Sequence, residues 1–170
     1  MKIGTKSLLF GSHQFLLHPW FVAAAWWKLY GFPWDPRLWV AFFVHDLGYI
    51  GKPNMDGPEG EDHVLLGAWI MGVLFGRKWR YFCACHSRFW ARNYCLDPSR
   101  LCYADKLAIS LTPAWLYLPL ARASGEIHEY IERHRDLNGK YGDSQCSTQS
   151  HEVWFRDLQI FMRRWVEERV

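Results

Sequence analysis

The chain has 170 residues, half of them apolar and 22% charged, with a net charge of +3. That length can bury a core as one domain without cross-links, and so small a charge gives no argument for a stable nucleic-acid complex. Five cysteines, an odd number, exclude a secreted disulfide framework and fit a reducing, cytoplasmic setting.

Ser7 to Trp27 contains no Asp, Glu, Lys or Arg. It is interrupted by His13, Gln14, His18 and Pro19, and it lacks the run of about 20 apolar residues that a membrane span requires. No small-residue cleavage site of the signal-peptide kind closes it. The stretch reads as a buried helix of a soluble protein, capped by Ser12, kinked near Pro19 and ending near Tyr30.

Asp35-Pro36 sets an N-cap before a first-turn proline and starts a second helix, which runs to Leu47 with Gly48 as its stop. Gly51 to Gly60 is rich in Gly and Pro and reads as a loop. Glu61-Asp62 suits the positive end of a third helix through Phe75. Gly76 separates it from a fourth, Arg77 to Tyr94. Asp97-Pro98 opens a fifth, interrupted at Pro113. Ser124 and Glu126 open a sixth, to Leu137. Asn138 to Gln149 is polar and reads as a loop. Val153, Phe155, Leu158, Phe161, Met162 and Trp165 recur at helical spacing and define a last amphipathic helix. No segment alternates as a strand would. The expectation is a compact, single-domain, all-α bundle of about six or seven helices.

Metal-capable side chains punctuate these helices. His13 begins the first, His45-Asp46 ends the second, His63 begins the third, His86 lies in the fourth and Asp105 in the fifth. Ionisable groups on such apolar helices are costly to bury unless they are paired or bind a cation. Imidazole with carboxylate suits a divalent ion such as Mn, Fe, Co, Ni or Zn.

The order His13, His45-Asp46, His63, His86, Asp105 resembles the HD superfamily of metal-dependent phosphohydrolases, over roughly Ser12 to Ile109. His45-Asp46-Leu47-Gly48 is similar to the HD-x-G form of the HD-GYP phosphodiesterases and their relatives. His63 with Gly67, and Tyr103-Ala104-Asp105-Lys106-Leu107, are similar to later segments of that pattern. The resemblance implies an HD-type fold and one metal held by His13, His45, Asp46 and Asp105. It implies a second held by Asp46, His63 and His86, with a hydroxide shared between the two as nucleophile on a phosphate ester or anhydride.

Tyr49 stands where relatives often carry Lys, His or Glu for ligation or proton transfer, and is grouped with His45, Asp46 and Lys52 as catalytic. The paired histidines and Gly-Tyr-Pro segment are absent, since Ser87-Arg88 follows His86, so the resemblance does not imply cyclic-di-GMP cleavage. Lys52, in the loop after the HD turn, and Arg88 and Arg92, one and two turns past His86, are the phosphate-binding candidates.

The expected substrate is a small phosphorylated molecule of the nucleotide type. Aromatic residues such as Trp20 and Trp39 belong mainly to the core, with a homo-oligomer interface open to any exposed remainder. His18, before a proline, reads as an ordinary surface or interface residue. Other readings are a mixed-valence di-iron oxygenase on the same scaffold and a non-catalytic, metal-stabilised binding module.

Overall fold

A computed structural model describes residues 1–141 and 146–170, without the side chains of 137–141. Every regular element among the described residues is helical. The helices are α1 (Ile3–Phe10), α2 (His18–Tyr30), α3 (Pro36–Val44), the short α4 (Pro58–Glu61) and α5 (Val64–Phe75). They continue with α6 (Arg77–Ala84), α7 (Arg88–Asn93), α8 (Arg100–Leu111), α9 (Ala114–Ser124), α10 (Glu126–Tyr141) and α11 (His151–Glu167). A single 3₁₀ turn, Leu47–Tyr49, follows the His-Asp pair.

The all-α expectation holds, but the chain is divided more finely than about six or seven helices. The expected first helix, from Ser12 to Tyr30, begins only at His18 as α2, and a further helix, α1, precedes it. Pro19 does not kink α2 but occupies its first turn, where the missing N–H costs nothing. The expected fourth helix breaks at Cys85-His86-Ser87. Ser87 caps α7 by accepting from the N–H groups of Phe89 and Trp90. The fifth begins at Arg100 rather than beside Asp97. Of the expected loop Asn138–Gln149, the first four residues continue α10, and residues 142–145 lie outside the described part.

Other boundaries follow their local chemistry. Asp35 accepts from the Arg37 N–H at the head of α3, and Ser150 accepts from Val153 at the head of α11. Gly76, at φ +85°, turns the chain between α5 and α6.

Two apolar clusters form the interior. One joins α2, α3, α5, α6 and α8 around Val22, Phe42, Val64, Met71 and Leu101. The other joins α9, α10 and α11 around Tyr117, Ile127, Trp154 and Phe155. A cavity of about 660 Å³ is lined by Asp46, His63 and His86 and also by Tyr117, Leu158 and Met162 of the second cluster.

Ser7–Trp27 is not a buried helix. Leu9, Phe10, Phe15, Leu16, Leu17, Trp20 and Trp27 are exposed. No helix among the described residues is long and apolar enough to cross a membrane.

Candidate metal centre

Three histidines are presented by the same local device. His45, His63 and His86 each follow a short helix or turn, and each folds its ring back on the carbonyl three residues earlier. His45 Nδ1 donates to Phe42 O at 2.9 Å, His63 Nδ1 to Gly60 O at 2.7 Å, and His86 Nδ1 to Cys83 O at 2.6 Å. With the proton assigned to Nδ1 by that bond, each Nε2 keeps a lone pair, and all three point to one place.

Asp46 stands at that place, and its two oxygens divide the neighbours. Oδ2 lies 3.2 Å from His45 Nε2 and 3.5 Å from His18 Nε2. Oδ1 lies 3.4 Å from His86 Nε2 and 3.7 Å from His63 Nε2. Asp105 Oδ1 closes the first group, 3.0 Å from His18 Nε2 and 3.8 Å from His45 Nε2. The result is two groups of potential ligand atoms sharing Asp46: His18, His45, Asp46, Asp105 and Asp46, His63, His86, with the atoms of each within 4.8 Å of one another.

The donor set fits a cation on internal evidence. His45 Nε2 and Asp46 Oδ2 are buried, and neither makes a hydrogen bond despite their 3.2 Å approach. His63 Nε2 and His86 Nε2 face each other at 3.0 Å. Lone pairs and carboxylates crowded this closely are costly unless positive charge lies between them. Burial works against protonating His45, yet Asp46 and Asp105 outweigh it and raise its pKa to about 10; without a cation the two carboxylates draw a second proton to Nε2, and a bound ion would take that proton's place. Burial and the neighbouring His86 push His63 down to about 3, leaving it neutral as a ligand must be.

His45, Asp46, His63, His86 and Asp105 thus converge, while His13 is outside both groups. His18, expected on the surface, is buried in the first group instead. The reason is where α2 begins: with Pro19 in its first turn, His18 is the residue delivered at its N-terminal end. His13 lies in the preceding turn, and its Nδ1 meets Glu126 Oε2 at 3.3 Å. Its ring centre is 5.5 Å from that of His18 and 5.3 Å from that of Tyr49, and it lines the cavity.

Glu126 is fully buried and accepts from Ser7 Oγ (2.6 Å), the Ser12 N–H (2.6 Å), Ser124 Oγ (2.8 Å) and Tyr130 OH (3.2 Å). Burial opposes its ionisation, and the bonds from His13 and the other donors reverse that, holding the carboxyl below its usual range. Burial by itself would depress the His13 pKa, but Glu126 and the two aspartates leave it raised.

Tyr49 is buried, lines the cavity and stacks on His63 with ring centres 4.2 Å apart. Two glycines permit this closeness. A Cβ on Gly48 would lie 1.8 Å from His63 O, and one on Gly67 would lie 2.4 Å from Val44 O. Gly48 lets α5 approach the His-Asp turn, and Gly67 lets it lie on the end of α3.

Arg88 and Arg92 line the cavity; Arg88 rests over the Trp165 ring at 5.2 Å. Lys52 is outside the cavity lining; its backbone carbonyl accepts from the Gly4 N–H, which ties its loop to α1. Lys106 also lines the cavity, with its ammonium 2.8 Å from Asp105 Oδ2. Trp20, Trp26, Trp27, Trp34 and Trp39 are all outside that lining. Cys83, Cys85 and Cys102 are buried free thiols rather than ligands in either group.

No protein-family profile matches the chain. Neither a characterised protein nor a solved structure matches it.

Proposed function

We propose that this chain is a metal-dependent phosphohydrolase that cleaves a phosphate ester or anhydride, of the nucleotide type, at a dinuclear site. The observation that carries the proposal is the shared Asp46, one oxygen facing His18 and His45 and the other facing His63 and His86. His18, His45, Asp46 and Asp105 would hold one divalent ion, and Asp46, His63 and His86 a second. Such ions, when bound, supply Lewis acidity and an activated water.

The remaining work belongs to the chain. Arg88 and Arg92 border the cavity and offer guanidinium groups to phosphate oxygens. His13 lines the same cavity with Glu126 behind its Nδ1, so it can hold a proton for the leaving oxygen. Tyr49, stacked on His63, restrains that ring and narrows water access. The apolar wall of Ile109, Tyr117, Leu158 and Phe161 gives the organic part of the substrate a dry surface.

The test is turnover of a nucleotide and phosphoester panel with Mn, Co or Fe. Hydrolysis that is abolished in Asp46→Asn and retained in Lys52→Ala supports the reading. No turnover with any metal across the panel overturns it.

A further inference from the structure

The side of the molecule built by α2, α3 and the turn between them carries a continuous aromatic surface, next to α5. Ring contacts link Trp27 to Phe32, Phe32 to Trp34 and Trp39, Trp39 to Trp20, and Trp20 to Phe43. Trp20 is 57% exposed, Trp27 62% and Trp34 84%. α3 packs between α2 and α5, and α5 adds Trp69, 61% exposed, with Val73 on the same stripe. At about 250 Å² per indole side chain, the three linked tryptophans, Trp20, Trp27 and Trp34, alone show water about 500 Å². The largest apolar patch on an ordinary monomer is about 300–600 Å² in all. Among the described residues, the indole N–H groups of Trp20, Trp27 and Trp34 have no hydrogen-bond partner, so each presents a polar tip on an apolar body.

Charge decides what this face meets. The helices α2, α3, α5 and α6 hold five Lys or Arg, namely Lys28, Arg37, Arg77, Lys78 and Arg80, and no acidic residue. Asp35, just before α3, is paired with Arg37 at 2.7 Å. The helices that carry and flank the tryptophan surface are therefore basic, although the whole chain is only +3. Exposed Lys28 sits beside Trp27, and Arg77, Lys78 and Arg80 follow α5. Stacking two such positive faces in a dimer brings like charges together. A surface of anionic headgroups over acyl chains satisfies both halves of the pattern: indoles at the polar–apolar boundary, and Lys and Arg on the phosphates.

We propose that the α2–α3–α5 face is a docking surface for an anionic phospholipid bilayer, on which the protein lies without spanning it. The test is co-sedimentation of the full chain with phosphatidylglycerol–phosphatidylcholine vesicles and with pure phosphatidylcholine vesicles. The proposal expects binding to the first that weakens as salt rises and is much weaker on the second. Trp27→Ser with Trp34→Ser, both highly exposed, should lower affinity by more than about tenfold while leaving the unfolding midpoint near that of the parent. Arg77→Glu with Lys78→Glu should remove the preference for phosphatidylglycerol, and does not depend on the indole variants folding. No sedimentation with anionic vesicles, or equal sedimentation of the parent and both variants, overturns the proposal. A parent dimer that the indole variant dissolves, with no vesicle binding, assigns the face to a second copy and also overturns it.

Discussion

Gly48→Ala probes the closest backbone approach in the candidate site. The added Cβ would meet His63 O at 1.8 Å, His63 C at 2.6 Å and His63 Cα at 2.9 Å. All three are main-chain atoms, so no side-chain rotation relieves the clash. Ordinary contact begins at 3.4 Å, so the His63 segment must retreat by about 1.6 Å in an interior with little free volume.

That distance decides which ion is lost. Metal–ligand lengths hold to about 0.2 Å, and His63 faces His86 at 3.0 Å and Asp46 at 3.7 Å. The group of Asp46, His63 and His86 therefore opens. His18, His45 and Asp105 lie on other elements and stay together. The strain costs about 1–3 kcal/mol, and for a domain of this size each kcal/mol lowers Tm by about 2–4 °C. Metal content after loading and dialysis, read with a thermal melt, tests the argument. The variant should melt lower and retain half the metal of the parent. A Gly48→Ala protein with the full complement would show that Gly48 does not set the position of His63.

Further predictions concern residues around the cluster. Glu126→Leu strands the Ser12 N–H, two serine hydroxyls and His13 without their shared acceptor. Removing one partner of a buried charged network costs about 3–5 kcal/mol, measurable by urea unfolding; a loss below ~1 kcal/mol would refute the network's structural weight. Because the Glu126 carboxyl titrates below its ordinary 4.5 when folded, its contribution is fully present above 4.5. It is lost as pH falls through the lower folded value. The parent should therefore lose stability on acidification more steeply than Glu126→Gln, and parallel acid limbs would contradict this. Arg88→Ala should raise KM for a phosphorylated substrate by about tenfold, as for one lost charge-assisted hydrogen bond. Lys52→Ala should leave KM unchanged, because Lys52 does not line the cavity.

Much of the architecture could be read from local signals. Asp35-Pro36 and the glycines after α2 and α5 mark helix ends by chemistry confined to a few residues. His45, Asp46, His63, His86 and Asp105 were findable because polar groups on apolar helices are conspicuous. What escaped depended on distance in space. The break at His86 lies in a run that reads as one helix, and it is stabilised by its ring bond to Cys83 O and by the Ser87 cap.

In the sequence Pro19 reads as a kink inside a longer helix, which leaves His18 inconspicuous; as a first-turn proline it sets His18 at a helix end, like the other histidines. Glu126 looked like a helix-start residue, and its partner His13 is 113 residues away. Lys106 adjoins Asp105, and only the path of α8 past the cavity turns its ammonium to that carboxylate. Composition alone cannot say which side of α2 is covered, so the exposed tryptophans read in the sequence as core residues.

The central claim is that His18, not His13, completes a pair of ion sites around Asp46. The most direct measurement is elemental analysis of metal-loaded protein for the parent, His18→Ala and His13→Ala. The parent should carry two ions per chain, His18→Ala one, and His13→Ala two. Metal-free parent protein after loading, or loss of an ion from His13→Ala with none lost from His18→Ala, would contradict the account.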